Sequence, residues 1–219
     1  MISKKVRDIV ESPSNGVIRK MFEEGALLRK KYGADKVYDF SIGNPDLDPP
    51  QKVVDAVKEI AADNSHLRHG YMPNPGYPET RAAMAKKTGI EQGMEIDFSN
   101  VVMAVGAAGA INATLKALLN DGDQLIVPCP YFAEYGHYVH NHNGEIVGVK
   151  TKEDFSLDPE TIKAALNEKT AAVLINSPNN PSGRIYSEED IDALVAVLKE
   201  HGKKTGRYPY IICDEPYRA

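Results

Sequence analysis

The chain has 219 residues, 42% hydrophobic and 26% charged, which suits a globular protein with a real core. A net charge of −5, with no basic tract beyond Lys-Lys pairs, argues against a general nucleic-acid binder. The start, MISKKVRDIVESPSNG, has no apolar signal-peptide core, and no apolar stretch approaches membrane-spanning length. Two distant cysteines, Cys129 and Cys213, are too few for a disulfide framework or a zinc site, and they read as buried thiols in a reducing cytoplasm.

Taken in chain order, residues 16–33 carry apolar side chains at helical spacing and stop at Gly33. KVYDFSIG (36–43) is strand-like and runs into the proline-rich turn NPDLDPP. Residues 51–63 and 77–89 predict amphipathic helices. A regular alternation follows: the strand-like VVMAV (101–105), a helix from about Ala108 to Leu119, then the short apolar runs QLIVP (124–128), EIVGV (145–149), AAVLI (171–175) and YIICD (210–214). Helical patterns at 159–166 and 187–201 separate several of them. Strands apolar on both sides, alternating with helices, predict an α/β fold with a mainly parallel sheet covered on both faces. Ligands on such sheets bind beyond the carboxyl ends of the strands.

Four strand ends therefore matter. GAAGA (106–110) opens a helix after VVMAV; its small residues and free amides suit an anion such as phosphate, and equally suit close strand–helix packing. It lacks the GxGxxG pattern and the Lys-Ser/Thr of a P-loop. PCPYFAEY (128–135) puts two aromatics on a proline-bound turn, placed either for the core or to give a ring face to a flat ligand. In NSPNNPSG (176–183), Asn180 sits beside a proline and is suited to a ring hydroxyl, although the same residues also make a plain turn. In CDEPYRA (213–219), Asp214 ends an apolar strand, where a carboxylate either faces a cation or caps a helix; Tyr217 is close enough to serve the same ligand.

A phosphate cradle, a ring stacker, an oxygen donor and a carboxylate for a ring nitrogen together match the needs of pyridoxal phosphate. The chain resembles the class I/II aminotransferases of the fold-type I pyridoxal-phosphate enzymes. The motifs SIGNPDLDPP, YMPNPGYPETR, AVGAAGA, PYFAEY, NSPNNPSG and CDEPYR occur in that family's order and spacing. Each alone is weak to moderate; the ordered set is highly specific.

The resemblance implies that backbone amides of Ala107 and Ala108 hold the cofactor phosphate and that Phe132 stacks on its ring. Asn180 and Tyr217 would hydrogen-bond the phenolic oxygen, and Asp214 would pair with the protonated ring nitrogen. Gly43 would contribute backbone to the substrate-carboxylate site. Tyr71 would reach the phosphate of a neighbouring subunit, which implies a homodimer with composite sites, and Asn180-Pro181 is expected to be cis. The implied activity moves an amino group between an L-amino acid and a 2-oxo acid.

One departure is large: the family's Schiff-base lysine, its phosphate-binding arginine and its substrate-carboxylate arginine all lie beyond the Asp-x-x-Tyr motif. The chain is thus expected to be the N-terminal part of a longer polypeptide, inactive by itself and truncated before the last strands and the C-terminal small domain. Residues 1–45 would be an N-terminal helix and strand packing with the small domain and partner subunit, and 46–219 an incomplete cofactor-binding domain. Two alternatives are weaker. Carbon–sulfur lyases of the same fold typically show Asp-Glu-Ile-His where this chain has Asp214-Glu215-Pro216-Tyr217. Non-catalytic aminotransferase-like sensing modules follow a winged helix, for which the first 40 residues leave no room.

Overall fold

The computed structural model describes residues 2–11, 17–38, 40, 43 and 47–217. They fall into two units, 1–70 and 71–219. The first contains helices α1 (Lys4–Glu11), α2 (Val17–Tyr32) and α3 (Gln51–Ala62), with a 3-10 turn at Ala34–Lys36. No strand forms at 36–43 among the described residues: Tyr38 and Phe40 are exposed and no other strand pairs with them. Asp39, Ser41 and Ile42 of that segment, and Asn44, Pro45 and Asp46 of the turn after it, lie outside the described residues.

The second unit holds α4 (Pro78–Gln92), α5 (Gly106–Leu118), β1 (Gln124–Cys129), α6 (Tyr135–Asn141), β2 (Glu145–Lys150), α7 (Pro159–Ala165), β3 (Thr170–Asn176), α8 (Glu188–Thr205) and β4 (Tyr210–Asp214). The strands form one parallel sheet in the order β2-β1-β3-β4. Alternate residues of the central strands point to opposite faces, and each face has its own core. Leu125, Val127, Ala172 and Leu174 meet Ile111 and Leu115 of α5 and Tyr135, Tyr138 and Val139 of α6. Ile126, Val173 and Ile175 meet Ile162 of α7 and Leu194 and Leu198 of α8. Every residue of β3 is buried, as expected of a strand covered on both faces.

Helix ends follow local chemistry. α8 starts in a capping box, Ser187 and Asp190 each accepting from the other's backbone N–H, and it stops at Gly206 in the left-handed region. It outruns the predicted end because Lys203 and Lys204 sit favourably at a negative helix terminus. The short α6 carries poor helix formers in YGHYVHN and was not predicted; burial of Tyr135, Tyr138 and Val139 on one face supports it.

Two further expectations meet a different outcome. VVMAV is extended but forms no strand, because no described segment pairs with it: Val102 and Val105 are exposed, and Met103 N–H bonds the Pro75 carbonyl of a loop instead. The sheet of the described residues therefore has four strands rather than five. The cysteines are not both buried. Cys129 is half-buried, and burial pushes its thiol pKa up. Cys213 is exposed, because β4 is an edge strand covered incompletely on its outer side.

Candidate functional site

Polar residues cluster where β3 and β4 end. Asn176 and Asp214 are the last residues of those strands and lie opposite each other in register. Both are buried. Asn176 Nδ2 donates to the Asp214 backbone carbonyl at 2.8 Å, and its Oδ1 accepts from Asn180 N–H at 2.6 Å. Asn180 Nδ2 in turn donates to the Tyr217 hydroxyl at 3.1 Å. One buried amide thus ties the strand end carrying the carboxylate to the loop carrying Asn180. The peptide bond Asn180-Pro181 is cis, as expected, and so are Cys129-Pro130 and Ser177-Pro178.

The Asp214 carboxylate receives a short hydrogen bond from the Tyr135 hydroxyl, at 79 residues' separation. Burial, and then Asp214 itself, push the ionisation of Tyr135 far above that of an ordinary phenol, so it stays a neutral donor. No ion pair to Asp214 occurs among the described residues, and Oδ1 has no donor there. A buried carboxylate without a cation is costly unless something else supplies the positive charge.

Asp214 faces a cavity of about 260 Å³. The start of α5 also lines it. Gly106 takes φ +69°, a left-handed turn that favours glycine, and delivers the chain into the helix. The first helical amides, at Ala107 and Ala108, have no intrahelical acceptor and sit at the positive end of the helix dipole. Phe132 lines the cavity as well, its ring edge-on to Tyr135 at 5.5 Å. Tyr138 lies beside them and donates to Glu134; burial and that bond raise its ionisation to about 12.

The cavity thus gathers Ala107, Ala108, Phe132, Asn180, Asp214 and Tyr217, all named from sequence. It does not gather Tyr71, whose side chain is fully exposed in a loop of the same unit. Gly43 is exposed in the first unit. Sequence reasoning passed over Tyr135 and Asn176. Asn176 carried the signal that singled out Asp214, a polar residue closing an apolar strand. Tyr135 carried none beyond its place in PYFAEY, because its partner is 79 residues away. No lysine lines the cavity, and no metal-binding cluster occurs among the described residues. No helix of the described residues is long and apolar enough to cross a membrane.

The sequence model of the aminotransferase class I and II family matches residues 35–217. An aspartate aminotransferase of Geobacillus stearothermophilus is 33% identical over 218 residues, 99% of this chain and 52% of its own length. The chain spans about half the length of most of the curated relatives it matches. Among solved structures, an amino transferase from Eubacterium rectale superposes with a TM-score of 0.91 at 38% identity, covering 99% of this chain and 55% of that one. The aspartate aminotransferase of Thermus thermophilus, solved with maleate, gives 0.82 at 32% identity, covering 98% and 53%.

Proposed function

We propose, from the premise that this chain belongs to the class I and II aminotransferase family, that the protein uses pyridoxal phosphate to move an amino group between an L-amino acid and a 2-oxo acid. The observation that carries the reading is Asp214: a buried carboxylate with no cation beside it among the described residues, lining a cavity that the first amides of α5 also line. The residues present fit the cofactor. Amides of Ala107 and Ala108 suit its phosphate, the Phe132 ring suits its flat face, and Asn180 with Tyr217 suits its phenolic oxygen. The neutral Tyr135 hydroxyl leaves the negative charge of Asp214 to hold a proton at the ring nitrogen. Pyridoxal phosphate, when bound, supplies an electron sink for the pair left at the substrate's α-carbon.

Residues 1–45 form an N-terminal segment and 46–219 part of the cofactor-binding domain. Gly43 contributes backbone to the substrate carboxylate. The protein works as a cytoplasmic homodimer in which Tyr71 reaches the partner's phosphate site, a role that an exposed hydroxyl leaves open to it. The names of the relatives make aspartate the first donor to try.

The test uses the intact protein. Added pyridoxal phosphate is expected to produce visible absorbance, and L-aspartate or another L-amino acid is expected to pass its amino group to a 2-oxo acid. A protein that stays colourless with the cofactor and transfers no amino group overturns the reading. Mixing Tyr71→Phe and Asp214→Asn subunits tests the shared site: activity above that of either variant supports it, and heterodimers without recovery refute it.

A further inference from the structure

The anion cradle at the start of α5 is approached by residues 101–105. Among the described residues no strand pairs with them, and Val102 and Val105 are exposed. Two contacts tie them to one short stretch of chain. The Pro75 carbonyl accepts from Met103 N–H at 2.9 Å, and Arg81 Nε donates to the Val101 carbonyl at 2.6 Å. Gly76 lies between them with φ +102°; a Cβ there would sit 2.6 Å from Met103 Cγ, so the two segments touch without room for a side chain.

Arg81 itself is unusual. It is 8% exposed, and no carboxylate lies within ion-pair distance of it among the described residues. Its guanidinium lies over the Phe98 ring, 5.1 Å from the centroid. Asp97 acts on it only through the field, its own carboxylate being engaged with Ser99. A buried cation is a costly way to fill space, and an apolar side chain would pack there more cheaply. What the guanidinium does that an apolar chain cannot is donate to the Val101 carbonyl, six residues before Ala107.

We infer that Arg81 is a positioning residue for phosphate binding: by fixing Val101 it sets where the α5 amides of Ala107 and Ala108 stand. Tyr71 begins the same stretch, four residues before Pro75, so one brace joins the cradle to the Tyr71 loop. The inference rests on the aminotransferase reading.

The experiment compares pyridoxal phosphate with pyridoxal, which lacks the phosphate, in binding titrations on the intact protein. Arg81→Met is expected to raise the Kd for pyridoxal phosphate roughly tenfold or more, the scale of one or two misplaced phosphate contacts, and to leave pyridoxal within about twofold. Arg81→Lys, which keeps a donor and a cation on the Phe98 face, should recover most of the loss. Gly76→Ala, breaking the brace from its other side, should repeat the phosphate-selective loss. Equal weakening of both ligands by Arg81→Met overturns the inference, because a merely structural residue would act so; no weakening of either overturns it as well. Wild-type protein that binds neither ligand overturns the aminotransferase reading itself and takes this inference with it.

Discussion

Two aspartates are buried at opposite ends of the same sheet. Asp123, just before β1, is 6% exposed, and Asp214, at the end of β4, is 9% exposed. Asp123 has a cation and two further donors, all on Oδ2: Arg207 donates at 2.9 Å, and both the backbone and the side chain of Asn120 donate at 3.0 Å. Asp214 has one neutral donor, Tyr135, and no cation among the described residues. The same chemical group has a cation at the amino end of the strands and only a neutral donor at the carboxyl end. The first arrangement serves the fold, and the second has a charge to offer a ligand.

The largest effect should come from Asp214→Asn. It removes the negative charge while keeping the shape, so amino transfer by the intact protein should fall about 10²–10³-fold, the scale of losing one preorganised electrostatic contact. Thermal stability should hardly change, since the carboxylate has no ion pair among the described residues to lose. Steady-state rates and a melting curve on the same preparation check both halves. A stability loss that matches the activity loss would erase the contrast with Asp123.

Tyr135→Phe sharpens the contrast from the donor side. The ring stays in the core beside Phe132 and Tyr138, and only the hydroxyl on the carboxylate goes. A hydrogen bond to a charged group contributes about 1.5–3 kcal/mol. Cofactor affinity or turnover should therefore fall roughly 10- to 100-fold. Titration and kinetics that match wild type would show that Asp214 needs no such partner.

Asn176→Ala should cost about 1–3 kcal/mol of stability, because it strands the Asp214 carbonyl and the Asn180 N–H in a buried place. Denaturant unfolding measures this. The residue also shows why the site was only partly legible. Asp214, Asn180 and Tyr217 announced themselves as polar residues on turns after apolar runs, and the strand of each could be read as a short, mostly apolar run. The link through Asn176 depends on the parallel register that sets it opposite Asp214, which no local pattern encodes. VVMAV shows the related point that a strand is a pairing: its five residues look alike with or without a partner. The α6 helix is a third instance: its local propensity is poor, and the packing of Tyr135, Tyr138 and Val139 decides it.

The smallest effect, and the one confined to the amino end of the strands, is Arg207→Gln. Burial alone would raise the Asp123 pKa, but hydrogen bonds from Asn120 and Arg207 outweigh it and hold the carboxyl below its usual range. A group depressed in the folded state stabilises fully above its unfolded value, near 3.8, and loses that contribution as pH falls through the lower folded value. The wild-type protein should therefore lose this support only in the acid range below about pH 4. Removing the guanidinium leaves Asn120 in place, so the loss at neutral pH should be modest, about 1 kcal/mol for a half-exposed arginine. The difference between variant and wild type should shrink as acid protonates Asp123, which is read by unfolding the two proteins at several pH values between neutrality and pH 3. Amino transfer should be untouched, because nothing at this end lines the cavity. A variant with impaired turnover and a pH-independent stability deficit would mean that the two ends are not separable in the way the two aspartates suggest.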